Sequence, residues 1–197
     1  MNVFNFTIWP EIVLWPYLLN KGWLPYRDIA IVHNPLLIFS LAGWMGVLGT
    51  QIWLVKIFTI LLAVLTAIAL YRLSKSLWTV FMWTGLWFIM GGLGLWFDLA
   101  LVPLGLMLYW LSLRHKWFLA GICWAIMFLT KQTAVWFLIP ILFFRPKKEF
   151  LFGTGLILMA FLGLIWKLGI LNDYWWWAVK FGIGILPSAV GQMKLPT

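Results

Sequence analysis

RHKWFLAGICWAIMFLTKQTAVWFLIPILFFRPKK, residues 114–148, is the stretch that decides how this chain is built. Between its two basic ends, residues 117–144 carry a single charge, Lys131. As one straight helix they would run about 42 Å, against a bilayer hydrocarbon core of roughly 30 Å. Lys and Arg gather on the cytoplasmic side of a membrane protein. Arg114–His115–Lys116 and Arg145–Pro146–Lys147–Lys148 therefore belong on the same side, which takes two crossings. The stretch reads as two short helices, 117–130 and 133–144, with a tight outer turn near Thr130–Thr133.

The same reading extends in both directions. Residues 52–71 form a span with Lys56 near its start, and Arg72 and Lys75 close it with a basic turn. Residues 77–97 and 99–113 are two more spans, parted by Asp98. Residues 150–171 cross again. Residues 35–50 are apolar but short and broken by Gly43, Gly46 and Gly49, as in an interfacial or re-entrant helix. Residues 1–34 carry Pro10, Glu11, Pro16, Lys21, Pro25, Arg27 and Asp28 and read as an outer-face loop with short amphipathic helices. Asn172–Asp173–Tyr174 with Trp175–Trp177 reads as an outer aromatic belt, and the tail to residue 197, with Gly182, Gly184 and Pro187, as an incomplete hydrophobic segment. The predicted fold class is an all-α, polytopic transmembrane bundle of about six inserted helices. All three basic turns fall inside, and Glu11, Asp28, Asp98 and Asp173 fall outside; Glu149 is the one inside acid.

Composition points the same way. The chain has 197 residues, 64% hydrophobic and 10% charged, and a net charge of +9; its mean hydropathy is +1.00. A soluble domain is about 25% charged, so a water-facing surface and disorder are both excluded. The positive charge fits membrane loops rather than nucleic acid, for which no basic, aromatic-interleaved domain is present. The single cysteine, Cys123, excludes a disulfide framework, and the N-terminus lacks a signal-peptide pattern. Two histidines exclude a histidine metal cluster. Carboxylates could hold a hard cation, but no metal site or cofactor is assigned. Gly91, Gly92 and Gly94 lie in a span and suit close helix packing. Asn5–Phe6–Thr7 matches a glycosylation sequon, a pattern that recurs by chance.

Chemistry concentrates in the outer loop, Pro10–Glu11, then Lys21–Gly22–Trp23–Leu24–Pro25–Tyr26–Arg27–Asp28, then His33–Asn34–Pro35–Leu36. This loop resembles the GT-C class of membrane glycosyltransferases, which includes protein O-mannosyltransferases and aminoarabinose transferases. Gly22, Pro25, Tyr26, Arg27, Asp28, His33, Pro35 and Leu36 match its Gly-x-x-Pro-Tyr-Arg-Asp and His-x-Pro-Leu segments, and Glu11 its early acidic position. Phe97–Asp98–Leu99, Ala120–Gly121 and Leu129–Thr130–Lys131–Gln132–Thr133–Ala134 are similar as well, so the resemblance covers about residues 10–145. Family members carry a helix before the outer loop and further spans after it. Relative to that pattern the chain is expected to be truncated at both ends.

The resemblance implies transfer of a sugar from a polyprenyl-phosphate donor to a protein, lipid or glycan acceptor, at the outer face of a bacterial inner membrane. Asp28 or Glu11 would act as general base on the acceptor. Lys131, Lys56 or Arg27 would stabilise the departing lipid phosphate. His33 would bond phosphate or sugar, and Asp98 is a further site residue. Each has a plainer alternative. Arg27–Asp28 also reads as a surface ion pair and His33 as a helix cap. Lys56 and Lys131 also read as headgroup-reaching lysines, and Asp98 as the end of a helical hairpin. The rival functions are a transporter or lipid flippase, and a non-catalytic membrane subunit.

Overall fold

The computed structural model describes residues 10–91, 95 and 97–185. Among them the chain is all-α. The sequon at 5–7, Gly92, Gly94 and Pro187 lie outside the described residues.

Helix α1 is Pro10–Asn20. Glu11 lies in its first described turn, and a proline is tolerated near a helix start, where its missing N–H costs little. The outer segment, expected as loop with short amphipathic helices, thus carries one such helix, and it buries Ile12 and Pro16. Asn20 Nδ2 donates to the Ala42 carbonyl at 2.9 Å, tying α1 to α2, Leu36–Leu48. Helix α3, Ile52–Ser74, ends in a left-handed turn at Lys75, and α4 is Leu77–Gly91. Helix α5, Phe97–Leu113, begins earlier than expected. Asp98 does not separate two spans; it sits in the first turn of α5, where a carboxylate faces the unpaired N–H groups of the helix end.

Helix α6 is Trp117–Thr130. The backbone then breaks at Lys131, which is extended (φ −155°, ψ 136°). A 3₁₀ turn, Gln132–Phe137, leads into α7, Leu138–Phe143. Helix α8, Lys148–Lys167, stops four residues short of the expected span end, at a turn through Gly169 (φ 69°). Helix α9, Leu171–Tyr174, runs on as a π-helical segment, Trp175–Ile185. This part of the expected belt and tail is packed helix: Tyr174 and Ala178 are buried, while Trp175 and Trp176 stay exposed.

Two ends of the bundle differ in character. Lys116–Leu119 and Lys147 line one cleft with Glu149, so α6 and α8 start at the same end. Arg72 and Trp110 line one groove, and Arg114 and Lys116 lie over the Trp110 ring, which brings the close of α3 and α5 to that end too. At the opposite end Ile12, Val55, Phe97 and Leu37 share one core cluster. Tyr26, Ile29, Ile31 and Tyr174 share a second. A third cluster fills the space between α5, α6 and α7. Helices α6 and α8 meet closely at Gly121 and Gly153, where an added Cβ would strike the partner backbone.

Among the described residues, α3 and α8 are long and apolar enough to cross a membrane; α2, α5 and α6 are shorter.

Candidate functional site

The acidic end gathers its side chains through backbone-directed hydrogen bonds. Pro35 forces an extended approach before α2. The segment ahead of it is pinned from three directions. Asn34 is buried; its Nδ2 donates to the Phe128 carbonyl, and its Oδ1 accepts from the Tyr174 hydroxyl at 2.9 Å. Gln132 Nε2 donates to the Val32 carbonyl at 2.6 Å and to the Ala178 carbonyl at 3.1 Å. The Tyr26 hydroxyl donates to the His33 carbonyl at 2.8 Å, and its ring meets that of Tyr174 edge-on at 5.2 Å. Burial holds the Tyr26 phenol well above its usual range and pushes Tyr174 up to about 12. Both stay protonated and keep donating.

Against this frame stand Lys131, Asp98 and His33. The Lys131 ammonium contacts both Asp98 oxygens at 2.7 Å. The pair is lopsided: the lysine side chain is 14% exposed and the aspartate 59%. The break after α6 delivers Lys131, and the first turn of α5 delivers Asp98. The His33 ring lies 4.5 Å from that of Phe97, the residue before Asp98. Burial first, then the Lys131 charge, lowers the His33 pKa, against smaller upward effects of the Gln132 hydrogen bond and Asp98. His33 is therefore neutral at pH 7.

The other expected site residues fall around this cluster. Glu11 and Lys56 flank Ile12 and Val55, whose side chains pack in the cluster that holds Phe97, so both belong to this end. Glu11 Oε2 is buried with no hydrogen-bond partner among the described residues. Lys56 is half-buried in the first turns of α3. Asp28 is engaged locally, for its Oδ2 accepts from the Leu24 amide at 2.8 Å, while the Asp28 amide donates to the Leu24 carbonyl at 3.0 Å. Arg27 lies 3.8 Å from Asp28, and both side chains are exposed. That is a surface pair, of the kind worth little in water.

Asn34, Gln132 and Tyr174 are the anchoring residues that sequence reading missed. Their partners lie far along the chain, so no local spacing marks them. Among the described residues no three His, Cys, Asp or Glu side chains gather as metal ligands.

Beside the cluster opens an apolar groove of about 520 Å³ between α3 and α5. Thr130 and Leu36 line it at the acidic end, next to Lys131. Phe58, Leu65 and Met107 line it farther along, and Arg72 and Trp110 at the basic end. No family model matches the chain, and neither a curated protein nor a solved structure matches it.

Proposed function

We propose that this chain is a multi-pass membrane protein of the GT-C-like kind that transfers a sugar from a polyprenyl-phosphate donor to an acceptor at the outer face. One observation carries the reading: the Lys131–Asp98–His33 cluster stands at the end of a long apolar groove. A lipid phosphate has both halves of the complementary chemistry, an apolar chain for the groove and an anionic head for Lys131. The alternation of basic and acidic ends along α3 to α8 supports repeated crossing, with the basic end inside. So do the apolar side chains exposed on α3 and α8, among them Ile60, Val64, Phe152 and Met159.

The chemistry follows from the donors present. A lysine ammonium has three N–H donors, and Asp98 engages it through two oxygens. One donor is left for a phosphate oxygen. As the bond between the sugar's anomeric carbon and the phosphate oxygen breaks, negative charge grows on that oxygen and Lys131 stabilises it. The acceptor hydroxyl forms the new bond to the anomeric carbon, and its proton passes to a carboxylate. Asp98 is the carboxylate best situated for this: it is exposed and beside the cation. Asp28 already holds the Leu24 amide, and Glu11 is turned into the protein. Neutral His33 can bond a sugar or acceptor hydroxyl.

The test is native mass spectrometry of the purified chain with added polyprenyl phosphate. Retention by the wild type and loss with Lys131→Ala is expected. Retention of bulk phospholipid only, unchanged by the substitution, would overturn the reading. The groove's reach from Thr130 to Arg72 also suits a second reading, lipid transport. Water accessibility of single cysteines along residues 95–135 separates the two, since transport requires a wet path to the midplane.

A further inference from the structure

The backbone break after α6 delivers two neighbouring side chains to the acidic end, the Lys131 ammonium and the Gln132 amide. The way the amide faces is fixed by its partners. Its Nε2 donates to the Val32 carbonyl at 2.6 Å and to the Ala178 carbonyl at 3.1 Å, which uses both of its N–H groups. Turned over, the amide would set its own oxygen against two carbonyl oxygens. The remaining polar atom, Oε1, is an acceptor and nothing else.

The His33 ring hydrogen-bonds this same side chain. With the amide N–H groups committed, the bond runs from a His33 ring N–H to Gln132 Oε1. A neutral imidazole carries one proton, and the hydrogen bond it makes decides which nitrogen holds that proton. The surroundings hold the ring in place. The Tyr26 hydroxyl grips the His33 carbonyl at 2.8 Å, and the Phe97 ring lies 4.5 Å from the imidazole. Gly182 backs the amide from the far side, for a Cβ there would lie 2.6 Å from the Val32 carbonyl oxygen and 3.3 Å from Gln132 Nε2. The charged groups acting on the ring are Lys131 and Asp98.

We infer that Gln132 is a positioning residue that locks His33 in one neutral tautomer, so that the second ring nitrogen presents a lone pair and recognises a hydroxyl of the sugar donor or of the acceptor, not a phosphate. The inference rests on the sugar-transfer reading above and narrows it. Lys131 only donates hydrogen bonds and suits an anion, whereas the second His33 nitrogen only accepts them and repels one. Side by side, the two sort the ligand, with phosphate directed to the lysine and a hydroxyl to the histidine.

The experiment is nitrogen-15 NMR of the full chain in detergent, labelled at histidine. The chain has two histidines, so His115→Gln leaves the His33 signals alone. At pH 8 the ring should show one protonated and one unprotonated nitrogen at separate limiting shifts. Two averaged signals would overturn the lock. Gln132→Met should average them. Gln132→Glu, which restores an acceptor, should separate them again, a rescue that loss of the Val32 and Ala178 bonds cannot explain. A single tautomer persisting in Gln132→Met would also overturn the lock. Added polyprenyl phosphate should leave His33 singly protonated, and a second protonated nitrogen would overturn the hydroxyl assignment. In a lipid-donor transfer assay, His33→Phe should raise one KM about tenfold, equivalent to one lost hydrogen bond of about 1.4 kcal/mol. A rise in the donor's KM places the hydroxyl on the sugar, and a rise in the acceptor's KM places it on the acceptor. No rise in either would overturn the assignment. Absence of transfer by the wild type would instead refute the sugar-transfer reading, while the tautomer, measured without substrate, still decides the lock.

Discussion

Replacing Gly121 by alanine puts the packing of α6 on α8 to a direct test. A Cβ at Gly121 would lie 2.0 Å from the Phe150 carbonyl oxygen and 2.9 Å from the Thr154 amide nitrogen. Ordinary contact starts at 3.4 Å, so the helices must part by about 1.4 Å at this point. Both obstacles are backbone atoms, and no rotamer change can clear them. Parting the helices also stretches the hydrogen bond from Thr154 Oγ1 to the Gly121 carbonyl, 3.2 Å in the native structure. It loosens the contacts of buried Phe150 with Trp124 as well. Overpacking a core costs about 1–3 kcal/mol, and backbone obstruction places this case at the upper end. About 3 kcal/mol is more than a hundredfold in the folding equilibrium. It lowers the melting temperature of a chain this size by roughly 6–12 °C. The assay is thermal unfolding in detergent, followed by tryptophan fluorescence. Gly163→Ala on α8 is the control: nothing lies within 4 Å of its Cβ position. It should be neutral or stabilising by about 0.5–1 kcal/mol, the usual helical gain over glycine. Equal melting temperatures for Gly121→Ala and Gly163→Ala would refute the close approach of α6 and α8.

His33 makes stability depend on pH. Its folded pKa lies below its ordinary value of 6.5, so the unfolded chain binds the extra proton first on acidification. Stability should be full above about pH 7 and fall as pH drops through the range below the unfolded pKa. His33→Gln should flatten that slope in a melting-temperature series from pH 7 to 5. Asn34→Ala strips the Phe128 carbonyl and the Tyr174 hydroxyl of a buried partner and should cost about 2–3 kcal/mol in chemical denaturation. Tyr174→Phe, losing one of those bonds, should cost less. Asp98→Asn leaves the largely buried Lys131 ammonium without its counter-charge and should cost about 1–3 kcal/mol, and should abolish sugar transfer in a lipid-donor assay. Arg27→Ala should change neither, since its partner lies 3.8 Å away at the surface.

The all-helical class was legible because charge-free apolar runs leave few alternatives. The break at Lys131 shows how far charge carries: an unbroken helix through 117–144 would have put its two basic flanks on opposite ends. Helix ends were less legible. Asp98 looked like an interruption because a lone acid in an apolar run reads as a breaker, although a carboxylate suits the first turn of a helix equally well. The three residues His33, Asp98 and Lys131 could each be singled out by type and by expected side of the membrane. Their convergence could not, because Asn34, Gln132 and Tyr174 arrange it by bonding to backbone and side-chain atoms up to 140 positions away. Asp28 drew attention by its motif, and its observed partner, the Leu24 amide, is a local turn contact that motif matching does not register.

If a lipid phosphate lies with its head at Lys131 and its chain in the groove between α3 and α5, the groove walls are within reach of a probe on that chain. The most direct measurement is photocrosslinking with a polyprenyl phosphate that carries a diazirine along its chain, followed by peptide mapping. Adducts are expected on groove residues such as Leu65 and Met107, and they should be lost when Lys131 is changed to alanine. Adducts confined to outward-facing residues such as Phe152 and Met159 on α8, unchanged by that substitution, would contradict this placement of the lipid.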